Sequence, residues 1–333
     1  MSYMQWPIGV RKGGGNQMTF AHEWICILGK GKHCMRAPLS LKTGDTIGFT
    51  ATARYLPEEE LKRAASYFEN HGFKVVFSEH CSKAYHQFGG DDESRAKDFQ
   101  GLLENPEVRA IFAVRGGYGT VRMLDKVDFS ALESDPKWIC GYSDLTILHG
   151  RIQRLGIQSL HSSMPVSFHA LTKTAFQRTV DVLVGKRDSF LWQDAHPLKK
   201  TGEAEGHLVG GNLSVLYSAL ASNAFPPVQN SILFIEDLDE YLYHIDRMMQ
   251  ALQRSNALEG LQGLVVGGMT QMRDHDIPFG WSAEEIISEA FAAYDIPISF
   301  GFPCGHMNDN NPIVLGAKVQ LSIHANQSSL DYV

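Results

Sequence analysis

The sequence predicts an α/β fold built on a parallel sheet covered on both faces. Three observations carry this. From Gly44 onward, short apolar runs alternate with longer segments whose apolar residues recur at helical spacing. The runs are apolar throughout rather than alternating, as in strands buried on both sides. Glycines, prolines and acidic residues punctuate them where helices start and stop.

The elements follow in order. Thr46 to Ala51 reads as a strand, and Pro57-Glu58-Glu59-Glu60 opens a helix with acids in its first turn. Leu61, Ala64, Ala65 and Phe68 form that helix's apolar face and Gly72 ends it. Phe73 to Phe77 is the next strand, and Asp91 is placed to cap a helix running to Leu103. Strands follow at Ala110 to Val114, Trp138 to Cys140 and Ile157 to Leu160, with a helix at Leu145 to Leu155. A more polar stretch, 169–205, holds a helix at Ala175 to Val184 and ends as an interdomain linker. Beyond it come helices at Asn212 to Ser222, Tyr241 to Arg254 and Ser282 to Ala293. Strands are expected at Ile232 to Ile235, Leu264 to Val266 and Pro297 to Phe300. Ile313 to Ile323 reads as a hairpin turning at Gly316-Ala317. The leader, 1–40, has neither helical nor strand period and reads as a disordered extension, with Met35 resembling a natural start.

Composition limits the function classes. The 333 residues are 44% hydrophobic and 20% charged, with a net charge of −7. That supports a sizeable core in one large or two moderate domains. There is no basic tract for nucleic acid, no polybasic helix for a membrane surface, and no apolar run near the ~18 residues that cross a bilayer. The short apolar stretch Trp24 to Leu28 is broken by Gly29-Lys30-Gly31-Lys32, a poor signal peptide. Cysteines 26, 34, 81, 140 and 304 are odd in number and form no CxxC, which favours a reducing compartment and a role as small buried apolar residues. No histidine spacing matches a metal site, so neither metal nor cofactor is expected; His80, Cys81 and His86 lack a fourth ligand and read as surface.

Four segments carry possible chemistry. Ser143, in Gly141-Tyr142-Ser143-Asp144, stands between a buried strand and a helix, where the following N–H groups can stabilise an oxyanion. The same position suits a helix cap, and the motif alone favours the cap. Arg115-Gly116-Gly117-Tyr118-Gly119 is either a ligand-approaching backbone loop or a tight turn. Glu236, Asp237, Asp239 and Glu240 crowd the end of an apolar strand; by charge alone they cap or solvate the next helix. Of these, Glu236, as the first residue past a rigid strand, is best placed to orient a histidine. His306 follows a strand and Pro303-Cys304-Gly305, and gains weight only from such companions.

Together these segments resemble the LD-carboxypeptidase family of serine peptidases, which includes the microcin-immunity peptidases. The resemblance spans Leu41 to Ile323 and rests on GDTIGFTATA at 44–53, AVRGGYG at 113–119, GYSD at 141–144, GGNLSVL at 210–216, LFIED at 233–237 with YHIDRM at 243–248, and PCGHMNDNNPIVLG at 303–316. His161-Ser162-Ser163-Met164 departs from the family's His-Gly-Pro-Met-like stretch. The resemblance implies a Rossmann- or flavodoxin-like N-terminal domain, 41–168, and a smaller swivelling α/β C-terminal domain, 206–333, with the site in the groove between them. It implies a triad of Ser143, Glu236 and His306, with the N–H groups of Gly117 and Asp144 as oxyanion donors. It further implies a cytoplasmic muropeptide substrate losing its terminal D-alanine in peptidoglycan recycling, and a homodimer. The rivals are a microcin-immunity-type peptidase cleaving peptidyl or aminoacyl nucleotides, and a non-enzymatic small-molecule binder on the same scaffold.

Overall fold

The structure, a computed structural model, describes residues 35–333. The expected leader through residue 34 lies outside the described residues. Its last residues, 35–40, pack against the body instead of extending from it. Met35 is buried, its carbonyl accepts from Gln158 Nε2 at 3.1 Å, and the Trp138 indole donates to the Leu39 carbonyl at 3.1 Å.

The first sheet is built from β1 (Thr46–Thr50), β2 (Lys74–Phe77), β5 (Val108–Ala113), β6 (Trp138–Gly141) and β7 (Ser159–His161), all parallel, with β13 (Ile313–Leu315) antiparallel at one edge. Its order is β13-β7-β6-β5-β1-β2, the doubly wound order of flavodoxin-like folds. Between β2 and β5 lies a small hairpin, β3 (Ala84–Tyr85) and β4 (Phe88–Gly89). The helices of this half are α1 (Glu58–Glu69), α2 (Asp92–Glu104), the short α3 (Thr120–Met123) and α4 (Ser130–Ser134), and α5 (Thr146–Arg154). The predicted α1 face, Leu61, Ala64, Ala65 and Phe68, is buried, and Asp91 caps α2 by accepting from Ser94 N at 2.7 Å.

After α6 (Lys173–Leu183), the second sheet takes β8 (Phe190–Gln193), β9 (Gly202–Asn212), β10 (Ser231–Leu238), β11 (Gly263–Thr270), β12 (Ile298–Ser299), β14 (Lys318–Ile323) and β15 (Gln327–Tyr332). β9 to β12 are parallel, and β14, β15 and β8 continue from β9 antiparallel. Helices α7 (Leu213–Ser218), α8 (Leu242–Arg254) and α9 (Ala283–Ala290) complete this half.

Two expectations are corrected here. The end of the 169–205 stretch is no free linker: Phe190 and Trp192 are buried, and Asp194 is buried while accepting from Ser299 Oγ at 2.6 Å and Ser328 Oγ at 2.8 Å. The expected hairpin at 313–323 divides between the two sheets, β13 pairing with β7 and β14 with β9 and β15. A glycine turn joins them, but each strand has a better partner from elsewhere in the chain.

One apolar cluster runs through both halves. It joins Ile111 and Ile139 of the first sheet, Ile147 and Ile152 of α5, and Val209, Ile235 and Met248 of the second half. Polar bonds reinforce it: Gln153 Nε2 donates to the Leu208 carbonyl at 3.1 Å and Asn212 N to Thr146 Oγ1 at 3.0 Å. The expected groove is therefore flanked by halves that share a core.

Candidate active site

β6 is buried along its length and delivers Tyr142 and Ser143 to a sharp turn before α5. Ser143 has φ of 61°, left-handed backbone that a β-carbon disfavours by about 1–2 kcal/mol. A helix cap sits in extended conformation and takes an N–H with its side chain; Ser143 does neither, so the cap reading fails. A strained serine on a strand-to-helix turn is instead the geometry that exposes a nucleophile. The turn is supported beneath by His149, whose Nε2–H donates to the Gly141 carbonyl at 2.9 Å while its Nδ1 accepts from Ser159 Oγ at 2.8 Å. Burial pushes this imidazole down to about 4, so it stays neutral.

The glycine loop after β5 runs alongside the serine. A β-carbon at Gly116 would lie 3.2 Å from Ser143 Cβ and 3.3 Å from its Oγ, closer than a side chain fits easily. Asp144 pins the same loop: its buried carboxylate accepts from Thr120 N, at the start of α3, at 2.8 Å. Burial raises the Asp144 pKa, against the lowering effect of the Thr120 hydrogen bonds. The N–H groups of Gly117 and Asp144, the expected oxyanion donors, are taken by no backbone acceptor among the described residues.

Glu236 lies inside β10, not past its end as the apolar run implied, and is 0% exposed. The strand continues to Leu238 because β9 and β11 pair with it on both sides. His306 arrives on the loop after β12, and its Nδ1 meets Glu236 Oε2 at 2.7 Å. A carboxylate only accepts, so Nδ1 carries the hydrogen and Nε2 is left as a base. Glu236 Oε1 has no donor among the described residues, which leaves the imidazole as the partner of this carboxylate. Burial lowers the His306 pKa, but the Glu236 charge and hydrogen bond, with Asp237 behind them, outweigh it and raise the value above 6.5. The Tyr142 ring packs on the His306 ring at 4.7 Å between centroids, which brings the imidazole up to the serine turn. No hydrogen bond joins Ser143 to His306 among the described residues.

The remaining acids divide as structural groups. Asp237 is buried and accepts from Asn212 Nδ2, Ser214 N and Ser214 Oγ at 2.7–2.9 Å, its pKa pushed to about 6 by burial and by Glu236. Glu240 takes Ser214 Oγ at 3.0 Å and His244 Nδ1 at 2.6 Å. Asp239 pairs with Arg273.

Sequence reasoning passed over Asn310. It is 1% exposed, accepts from Gly305 N at 2.8 Å and donates to Ser163 Oγ at 3.0 Å, so it fastens the histidine loop to the loop after β7. Ser163 lies in the stretch that departs from the family pattern; its hydroxyl is what Asn310 binds. Of the residues read as surface, Cys81 is buried, and His80 Nδ1 bonds Asp98 at 3.0 Å. Cys81, Cys140 and Cys304 are buried free thiols. No cluster of three metal-ligating side chains occurs among the described residues.

A doubly wound sheet presenting a strained serine, beside a carboxylate-held imidazole, defines an α/β hydrolytic enzyme of the serine type. Comparisons with known proteins agree. Residues 47–162 match the LD-carboxypeptidase N-terminal domain and 205–321 the LD-carboxypeptidase C-terminal domain. The chain is 30% identical over 294 residues to the probable murein peptide carboxypeptidase of Bacillus subtilis (strain 168), covering 86% of this chain and 91% of that one. It is 25% identical over 327 residues to the microcin C7 self-immunity protein MccF of Escherichia coli, covering 86% and 92%. The solved muramoyltetrapeptide carboxypeptidase from Oxalobacter formigenes superposes with a TM-score of 0.78 at 26% identity, covering 86% and 98%. The chain belongs to the LD-carboxypeptidase family and is a serine-type peptidase.

Proposed function

We propose that this enzyme releases the terminal D-alanine of murein tetrapeptides, using Ser143, His306 and Glu236. The observation that carries this reading is the Glu236-held imidazole, hydrogen on Nδ1, beside a serine in left-handed backbone. The relatives named for murein peptides supply the substrate class.

Substrate binding brings Ser143 Oγ within reach of His306 Nε2, as catalytic hydrogen bonds commonly tighten in the bound complex. Ser143 attacks the carbonyl of the L-centre and its proton passes to Nε2. The oxyanion sits on the N–H groups of Gly117 and Asp144. As the C–N bond breaks, the imidazolium returns that proton to the departing amine of D-alanine. Water then attacks the ester, gives a proton to His306, and Ser143 leaves with it. Glu236 holds the tautomer and stabilises the imidazolium throughout.

The test is incubation with free murein tetrapeptide and assay of released D-alanine. The wild type should release it, and Ser143→Ala should not, while melting unchanged. Turnover by Ser143→Ala within tenfold of wild type sinks the nucleophile assignment. A second reading, cleavage of peptidyl or aminoacyl nucleotides, has one observation in its favour. Tyr241 and Tyr243 stack on His275 at 4.6 and 5.4 Å, forming an aromatic surface past the end of β10. Faster turnover of a peptidyl adenylate than of the tetrapeptide would establish that reading instead. The muropeptide reading carries with it a cytoplasmic location and a homodimer; light scattering on the purified protein checks the latter. Among the described residues no helix is long and apolar enough to cross a membrane.

A further inference from the structure

β1 and β5 are neighbours at the point where strand order reverses, and ligands of such sheets bind beyond the strand ends there. Two loops leave these ends. One carries Arg54, the other Arg115-Gly116-Gly117. The Arg54 side chain lies on Gly117: a β-carbon there would stand 2.6 Å from Nε and 3.1 Å from Cζ. Gly116, next in the loop, touches Ser143. Guanidinium, glycine loop and serine are thus successive contacts.

The β3–β4 hairpin holds this arginine from behind. Nε donates to Gln87 Oε1 at 3.2 Å, and the Phe88 ring beside it packs near Gly119 and under the Arg95 guanidinium, 4.6 Å from its centroid. A guanidinium offers five N–H donors in a planar fork. Here Nε is engaged, while the two Nη groups make no hydrogen bond and no ion pair among the described residues. A held stem with an open fork is the geometry for a bidentate carboxylate. In the hydrolysis proposed above, the leaving amino acid keeps its carboxylate one residue beyond the scissile carbonyl, about 3.8 Å of chain further on. Arg54 packs on Gly117, a proposed oxyanion donor, so its guanidinium stands against the loop that would hold the reacting carbonyl.

We infer that Arg54 binds the terminal carboxylate of the leaving D-amino acid and so restricts the enzyme to chain ends; this rests on the carboxypeptidase reading. The experiment compares a tetrapeptide ending in D-alanine with one ending in D-alaninamide, for wild type, Arg54→Gln and Arg54→Lys. Wild type should favour the free carboxylate by about 10–100-fold in kcat/KM, the range expected for charge-assisted hydrogen bonds. Arg54→Gln should bring the two substrates to equality, chiefly through KM, and Arg54→Lys should restore part of the preference. Equal losses on both substrates would mean that Arg54 only supports the loop or balances Asp144, and would overturn the inference, as would a preference that survives in Arg54→Gln. Calorimetric titration with D-alanine and D-alaninamide separates this from failure of the substrate reading. If wild type cleaves no tetrapeptide, tighter binding of D-alanine that is lost in Arg54→Gln still upholds the carboxylate site, and equal binding of the two overturns it.

Discussion

Glu236 and His306 are two side chains whose chemistry depends on each other. The imidazole is partly desolvated, and the neighbouring carboxylate holds its charged form. As the proposed base it must be neutral, so kcat/KM should fall as pH falls through its raised pKa, with an acid-limb midpoint above 6.5. The linked stability has the opposite course. A raised folded-state pKa contributes stability fully present below the unfolded value of 6.5 and lost as pH rises through the raised value. Activity therefore appears over the window in which that stability is withdrawn. Glu236→Gln should lower kcat on the order of 10⁴-fold, since the amide supports neither tautomer nor imidazolium. It should also move the acid limb down and flatten the pH dependence of the melting temperature. pH–rate profiles and melts of both proteins check this; an unmoved acid limb sinks the pairing. Glu240→Gln serves as the contrast. Its bond to His244 is partly exposed, so about 0.2–1 kcal/mol of stability is at stake and kcat should stay within a few-fold. The reverse ranking of the two variants in kcat would move the triad acid to Glu240.

Asn310 shows how a loop element acquires precision. The loop after β12 has no regular backbone ladder of its own, yet it must hold His306 steady against β10. Asn310 supplies the missing bonds, one to Gly305 N within the loop and one to Ser163 across to the first half. Asn310→Ala strands a buried N–H and a buried hydroxyl, at a cost of about 1–3 kcal/mol. Chemical denaturation should show that loss, and kcat should fall with KM little changed, because His306 loses its position while substrate contacts remain. Unchanged kcat would show that the loop is held by other means. Much of the fold was legible at this scale. The buried parallel strands β1, β5, β6 and β10 are apolar runs bounded by turn residues, a signal that survives without tertiary knowledge. β9 escaped notice because its first half is polar, Glu203 and Glu205 facing water on a strand whose pairing is decided by β10 and β14. Glu236 was expected just past the end of its strand and lies inside it. A carboxylate in a buried strand reads as an end until its partner, 70 residues away, is known. Asn310 lies within the 303–316 motif, but neither its bond to Ser163 nor the contacts of Arg54 could be read from local pattern, because both are made to distant loops.

At the scale of the molecule, the serine comes from one sheet and the Glu236–His306 pair from the other, so the site is only as well set as the packing between the halves. α5 is the element that transmits this. Its N-terminus follows the Ser143 turn, and its flank packs on the second half through Ile152, Gln153 and Gly150. Gly150 makes the closest approach: a β-carbon there would sit 1.8 Å from the Ala224 carbonyl oxygen. That contact is backbone, with no side chain to swing aside, so Gly150→Ala must push α5 and the second half apart. Overpacking of this kind costs about 1–3 kcal/mol in stability. A displacement near 1 Å also carries Ser143 away from His306, and misplacement on that scale costs about 10²-fold in rate. Gly150→Ala should therefore lower the melting temperature and reduce kcat together, although residue 150 is helical and remote from the reacting atoms. Fluorophosphonate labelling of Ser143 should slow in parallel, because it draws on the same serine–histidine geometry. A variant that loses stability yet keeps full kcat and full labelling would show that the two halves can separate at α5 without disturbing the site, and that the serine is registered against the histidine by the Asn310 and Tyr142 contacts alone.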